Sequence, residues 1–483
     1  MPHPQNFLFE LWRTLWQSNI RGRQVCVACA AILTSMGIGY RYANEPFISI
    51  LPILLWLYSI LICFTFLYPV KNVSLFQIKF NRTWIKLSSL LLIAFFLRIV
   101  NLLNFPPAFL PDEAGSVEFA LQNVFNPSLG RVTINPMRTG LDSQPILHSY
   151  ILWLSTTWFG FSTAGVRVFS VLAGTLSVAG VFLMVNEMAG RKMAWLTAIL
   201  ITVYHYHIHW SRIALSNIWV TLFLPLTLGF FLRGWRKGTA SGALLAGLSL
   251  GFSAYFYTGG YVLIFLIAII VWQTWHRTKD HVSLTIYVGK MLSLATVVAA
   301  PLIVFAWVKP DHFFDRFNVV YGWSPTAIKA TLGDSASKWD YFIYQFTHSF
   351  GSYNFYSDVT HFYAPQIPFL IGITSILFLI GISQALYKKQ YFPVLWVILV
   401  TILGGVMIVG TPASSHFIPV IPAICWLVAI PIHWVGENKK RYWVYILLSA
   451  IIIVDLSFYF IVYPKNLYAD FTAPFPLVEP YVY

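Results

Sequence analysis

Apolar runs of about 20 residues, the length a helix needs to cross the hydrocarbon core of a bilayer, recur along the whole chain. They predict spans near 25–40, 47–69, 84–104, 168–189, 193–209, 217–233, 240–257, 260–275, 289–308, 366–387, 391–410, 416–435 and 442–463. The expected fold is an all-α polytopic membrane protein of about thirteen transmembrane helices. One further apolar stretch, Ile146 to Phe161, decides the parity of everything after it.

Charge resolves that stretch. If 146–161 does not span, alternate loops become cytoplasmic and gather Arg13, Arg21 and Arg23, then Lys71, Lys79, Arg82 and Lys86, then Arg191 and Lys192. The same side collects Arg233, Arg236 and Lys237, then Arg277, Lys279 and Lys290, then Lys388 and Lys389, and finally Lys439, Lys440 and Arg441. Only Glu10, Glu187, Asp280 and Glu437 accompany them. If the stretch did span, the later basic loops would flip outward and the positive-inside bias would collapse. It is therefore read as an amphipathic helix lying at the outer membrane surface, with a cytoplasmic amino terminus and an external carboxyl terminus after Tyr463.

Two large external segments result, about 105–167 and 309–365. Pro106, Pro107, Pro111, Pro127, Pro136 and Pro145 cut the first into short pieces. The second carries Trp323, Trp339, Tyr341, Tyr344, Tyr353, Tyr356 and Tyr363. These suit either an interfacial aromatic belt or a platform for sugar or lipid.

Composition adds exclusions. With 58% hydrophobic and 10% charged residues and a mean hydropathy of +0.69, a soluble fold is ruled out. The net charge of +14 fits cytoplasmic loops facing anionic lipid, so no nucleic-acid partner is expected. The first twenty residues lack the apolar core and small-residue site of a cleaved signal peptide. Cys26, Cys29, Cys63 and Cys425 lie in apolar runs, where packing is the expected role and disulfides are not.

In so apolar a chain, Leu110-Pro111-Asp112-Glu113-Ala114 places two carboxylates just past a spanning segment. Such groups are either useful or simply solvated in a loop. A carboxylate at the mouth of a helix bundle can take a proton from an attacking hydroxyl once burial lifts its pKa. Arg131, Arg138 and Arg316 can offer bidentate donors to a phosphate leaving group.

From Phe96 onward the run FFLRIVNLLNFPPAFLPDEAGSVEFALQNVF resembles the start of the GT-C glycosyltransferases. It is closest in pattern to the branch of protein O-mannosyltransferases and lipid A aminoarabinose transferases. The matching features are Arg98, Asp112-Glu113, the helix Ala114 to Ala120, the Pro-led amphipathic segment Pro145 to Trp158, Phe159-Gly160 and Arg167. Tyr204 to Asn217 is similar to the branch's second external loop, and Pro412 to Pro422 (PASSHFIPVIP) to its late proline-bounded motif. The resemblance covers about 84–435. It divides the chain into an added pair of helices (1–83), a catalytic membrane core (84–435) and a last helix with an external tail (436–483).

The resemblance implies transfer of a sugar from a polyprenyl-phosphate donor, with inversion, at the outer face of a bacterial or archaeal plasma membrane. The acceptor is a protein, a lipid or a polysaccharide. Carried over, Asp112 is the base and Glu113 a helper that orients sugar, acceptor or Asp112. Arg131, Arg138, Arg212, Asn217, Arg316 and His416 are expected to bind the donor phosphate or substrate. The chain departs from the branch at Gln144, where the lipid A enzymes carry Lys, and at Asn217, where relatives carry an acid. His416 replaces a basic residue. These departures weigh against a lipid A acceptor and an aminoarabinose donor. Of His205, His207 and His209, only His205 and His209 would share a helix face. With Asp112 they are the candidates for a divalent metal, the alternative being an interfacial cluster that caps a span. Asp455, inside the last span, is expected to be neutral or hydrogen-bonded to a neighbouring helix. The competing class is a transporter or flippase for a lipid-linked or anionic substrate. It would require inverted repeats and paired broken helices; no such internal symmetry is read in the sequence, although Gly259-Gly260 and Gly404-Gly405 are candidate breaks.

Overall fold

The computed structural model describes residues 19–44, 47–48, 51–68, 82–106, 110–126, 131–133, 144–360, 362–363 and 366–465. Among them, 7 helices are long and apolar enough to cross a membrane: Gly22–Asn44, Thr163–Ala189, Ile218–Lys237, Thr258–Arg277, His281–Val308, Ser414–Asn438 and Tyr442–Lys465. Leu51–Leu67, Ala240–Ser253, Gly372–Tyr387 and Tyr391–Val406 are shorter apolar helices. Large side chains such as Leu61, Ile93, Trp272, Ile303 and Ile376 face outward, an arrangement that lipid solvates and water does not. The chain is a polytopic integral membrane protein.

The windows at 84–104 and 193–209 hold Arg82–Ile99 and Arg191–Val203. The second window is not one uninterrupted helix. Tyr204 is extended (φ −60, ψ 114) and a new helix, His205–Trp210, starts after it. Asp455 Oδ1 accepts the N–H of His205 at 3.2 Å, which satisfies a donor that the break leaves open. The stretch read as non-spanning is the helix Leu147–Phe159. At 1.5 Å per residue it reaches about 20 Å, and its buried face carries His148, Ser149, Ser155 and Thr156.

The fold is not purely helical. Strands Phe47–Ile48, Phe125–Asn126 and Arg131–Thr133 form a small antiparallel sheet in the order β1-β3-β2. Its register pairs Phe125 with Val132 and Ile48 with Val132. These are aromatic and β-branched residues, which favour extended backbone.

The chain divides into two compact units. The first comprises Met1–Phe80, Asn123–Leu147 and Leu226–Phe314, and the second Asn81–Gln122, His148–Pro225 and Asp315–Tyr483. In the first, the amino-terminal helices Asn19–Asn44 and Leu51–Leu67 pack on His281–Val308 around Leu294, Val297, Val298, Leu302 and Phe305. Pro301 interrupts that long helix. A proline has no N–H for the carbonyl four residues earlier, here Val297. Trp56 Nε1 donates to the Val297 and Val298 carbonyls at 3.3 and 3.2 Å, and Tyr255 Oη donates to Val298 at 2.9 Å.

The second unit has a comparable proline. Pro431 lies in helix Ile421–Asn438 and frees the Leu427 carbonyl. Gly381 packs so closely on that carbonyl that any Cβ would collide with it.

Two measurements follow from these proline sites. Trp56→Phe keeps an aromatic ring but removes the donor and part of the indole, so it should cost at least about 1 kcal/mol, read as a lower thermal unfolding midpoint in detergent. Gly381→Ala should cost more, because backbone must move; unchanged midpoints for both would refute this account of the proline sites.

Candidate active site

Helix Pro111–Phe119 opens with extended Leu110 (φ −65, ψ 148) and Pro111 at its first position, where a missing N–H costs nothing. Asp112 and Glu113 fill its first turn, the end at which a helix favours negative charge. Successive helix residues point about 100° apart, and the two acids meet opposite fates. Glu113 is fully buried, whereas Asp112 is only half-buried.

Glu113 is met by donors from three segments. Arg167 Nε reaches Oε1 at 2.9 Å and Nη2 reaches Oε2 at 2.8 Å, a bidentate pair with both side chains at 0% exposure. The N–H of Ala214 donates to Oε1 at 2.6 Å and that of Leu110 to Oε2 at 3.1 Å. Arg167 Nη1 closes the ring on the Pro106 carbonyl at 2.9 Å. The helix carrying Arg167, Thr163–Ala189, is started by Ser162, whose Oγ accepts the N–H of Gly165. His148 Nε2 is 3.0 Å from the Ala214 carbonyl; a carbonyl only accepts, so that nitrogen carries the proton. One residue, Ala214, thus ties helix Leu147–Phe159 to Glu113.

Two more buried arginines close helix ends. Arg98 donates to the Ile201 and Thr202 carbonyls at 3.2 and 3.3 Å, to Ser211 Oγ at 3.2 Å, and lies 2.7 Å from His207 Nδ1. It caps the last carbonyls of Arg191–Val203. Arg212 donates to Leu97 and Arg98, each at 3.1 Å, and to Phe105 at 2.7 Å. It caps the helix that carries Arg98. Cations at helix C-termini are favourable, and orphan carbonyls need such partners.

These placements correct several expectations. Arg212, expected to bind phosphate, is buried among carbonyls and between the Phe105 and Phe460 rings. Glu113, expected as a helper that could touch sugar or acceptor, is sealed against Arg167 and can orient only Asp112. His205 pairs through Nδ1 with the Tyr363 hydroxyl, and His209 Nε2 donates to the Phe362 carbonyl at 2.7 Å. Among the described residues no three of His, Cys, Asp and Glu gather as metal ligands, so Asp112, His205 and His209 do not form the divalent site considered for them. Asp455 is hydrogen-bonded to a neighbouring element, the backbone of His205. Arg131 lies in strand Arg131–Thr133 of the first unit, and Arg138 lies outside the described residues.

Other candidates are brought together. Asn217 Nδ2 donates to the Ser415 carbonyl at 3.1 Å, and Arg316 is near enough to His416 for their charges to interact. The segment after Asp315 is laid over this region. Gln345 Nε2 donates to Ile408 at 2.7 Å, Trp323 Nε1 to Val406 at 2.9 Å, and Ser349 Oγ meets Thr411 Oγ1 at 2.8 Å.

Sequence reading missed Asp358. It is 7% exposed, and its Oδ1 accepts from Thr360 N (3.0 Å), Thr360 Oγ1 (2.8 Å) and Ser414 N (3.0 Å). Burial raises its carboxyl pKa above the ordinary range, against the pull of the Ser414 and Thr360 donors. Asp-Val-Thr signals a local turn, but the partner at Ser414 is far along the chain.

Glu113→Ala should leave Arg167 buried and unpaired, at about 3–5 kcal/mol. The expected result is a large drop in the unfolding midpoint, and Glu113→Leu with Arg167→Met should recover most of it. A single variant as stable as the parent would refute the pair's structural role.

Comparison with known proteins gives a family match over part of the chain. Residues 143–305 match the sequence model described as dolichyl-phosphate-mannose-protein mannosyltransferase. A search of curated proteins finds no match. Among solved structures, the Archaeoglobus fulgidus oligosaccharyltransferase in complex with Zn and sulfate aligns with a TM-score of 0.47 at 13% identity, covering 79% of this chain and 52% of that one. The chain thus spans about half the length of that protein. ArnT from Cupriavidus metallidurans, bound to undecaprenyl phosphate, aligns with a TM-score of 0.44 at 12% identity, covering 80% of this chain and 75% of that one. Over residues 143–305, the chain is thus similar to the family described as dolichyl-phosphate-mannose-protein mannosyltransferase.

Proposed function

We propose that the protein moves a sugar from a polyprenyl-phosphate donor to a hydroxyl-bearing acceptor at the outer face of the membrane, with Asp112 as general base. The observation that carries this reading is the unequal fate of the acidic pair. Glu113 is locked to Arg167 in the interior, which fixes the first helical turn and holds Asp112 half-exposed at its start. The proposed topology keeps about thirteen spans, with the segments near 105–167 and 309–365 outside and the amino terminus cytoplasmic.

Asp112 takes the proton of the acceptor hydroxyl as its oxygen attacks the anomeric carbon. The new C–O bond forms opposite the breaking bond to phosphate, so the anomeric configuration inverts. The bond electrons leave with the polyprenyl phosphate. Arg316 and His416 are proposed to take up the charge that develops on that phosphate. Asn217 is proposed to hold the motif that carries His416, through Ser415.

The test is transfer by purified protein from a panel of polyprenyl-phosphate sugars, with product configuration read by NMR. The expected result is consumption of a lipid-linked sugar with inversion, and about 10²–10⁴-fold slower turnover for Asp112→Asn. Consumption of none of the donors, a retained configuration, or full activity of the variant would each count against the proposal.

A further inference from the structure

We infer that Asp358 is a positioning residue for the lipid-phosphate end of the site, acting through Ser414 on the turn that presents His416. The inference rests on the function proposed above and adds a residue to it.

The turn carrying His416 is held from several sides. Asp358 Oδ1 accepts the N–H of Ser414 at 3.0 Å, and the N–H of Val359 donates to the Pro412 carbonyl at 3.0 Å. Residues 358–359 and 412–414 are therefore joined by two bonds running in opposite directions. Tyr206 Oη donates to the Ser414 carbonyl, and Asn217 Nδ2 to that of Ser415 at 3.1 Å. The N–H of His416 itself folds back on Ala413 at 3.0 Å. Beneath it, a Cβ at Gly404 would come within 2.6 Å of the His416 carbonyl, so the turn has no slack on that side.

Of these holds, Asp358 alone brings an ionisable carboxylate. A buried carboxylate is costly to desolvate, and a neutral Ser or Asn caps a backbone N–H about as well. What the carboxylate adds is a charge-assisted anchor, in which one oxygen serves Thr360 and Ser414 together. Loss of this anchor frees the 412–416 turn and, with it, the His416 ring. The expected effect falls on binding of the phosphate and not on the chemical step.

The experiment measures polyprenyl-phosphate affinity, donor KM and kcat for the wild type, Asp358→Ala, Asp358→Asn, His416→Gln and the Asp358→Ala/His416→Gln double variant. Asp358→Ala should weaken polyprenyl-phosphate binding and raise donor KM about tenfold, with kcat changed less than about threefold. Asp358→Asn, which keeps an acceptor oxygen, should recover most of the loss. Because both residues act on one subsite, the double variant should be no weaker than His416→Gln alone. Ser414→Pro supplies a second route if Asp358→Ala fails to fold. Ala413 is already extended (φ −107, ψ 112), so proline suits position 414 and removes the N–H, together with the hydroxyl that meets Thr360 Oγ1 at 3.4 Å; it should reproduce the KM shift. Wild-type affinity in Asp358→Ala or Ser414→Pro, a collapse of kcat at constant KM, or additive losses in the double variant would overturn the inference and leave the proposed function standing. A wild type that neither binds polyprenyl phosphate nor consumes any lipid-linked sugar would overturn both.

Discussion

A carboxylate and a guanidinium buried side by side must satisfy each other almost completely, because removing either from water costs several kcal/mol. Glu113 and Arg167 meet that demand with two parallel bonds, and the backbone of Ala214, Leu110 and Pro106 takes up the remaining valences. The pair therefore fixes the relative positions of the segment before helix Pro111–Phe119, the start of Thr163–Ala189 and the loop after Trp210. None of these can shift without exposing an unpaired charge to an apolar interior. A half-exposed neighbour such as Asp112 gains a fixed position from this constraint.

The two other buried arginines extend the same logic. Helices that stop inside an apolar region leave carbonyls that neither lipid nor side-chain packing can satisfy. Arg98 closes the end of Arg191–Val203, and Arg212 closes the end of the helix that carries Arg98. The chain can thus break its helices near Tyr204 and Val100 and still keep the breaks dry. Breaks of this kind supply the irregular backbone on which a membrane enzyme can place chemistry. The prolines at 301 and 431 pose a smaller version of the problem, answered at 301 by Trp56 and Tyr255, while Gly381 packs against the carbonyl freed at 431.

The apolar windows were legible because bilayer thickness imposes a length on sequence, and helices lie in them. The break at Tyr204 was not legible, since Asp455, the acceptor that supports it, is 250 residues away. Asp112 and Glu113 were visible as a pair, but only their different directions on the helix separate surface from interior. Arg212 looked like a phosphate ligand because an arginine beside a loop has that chemistry; its neighbours turned out to be carbonyls. Asp358 escaped notice because an acidic residue in a turn is commonplace, and its meaning lies in the distant Ser414. The short strands also escaped, being 2 and 3 residues long.

The central claim is a division of labour in which Glu113 holds structure and Asp112 does chemistry. It is tested most directly by measuring unfolding midpoint and sugar transfer side by side on Asp112→Asn and Glu113→Gln. The account predicts that Asp112→Asn melts with the wild type and transfers almost nothing, whereas Glu113→Gln melts well below it. A low midpoint for Asp112→Asn, or an unchanged midpoint with lost transfer for Glu113→Gln, would contradict it.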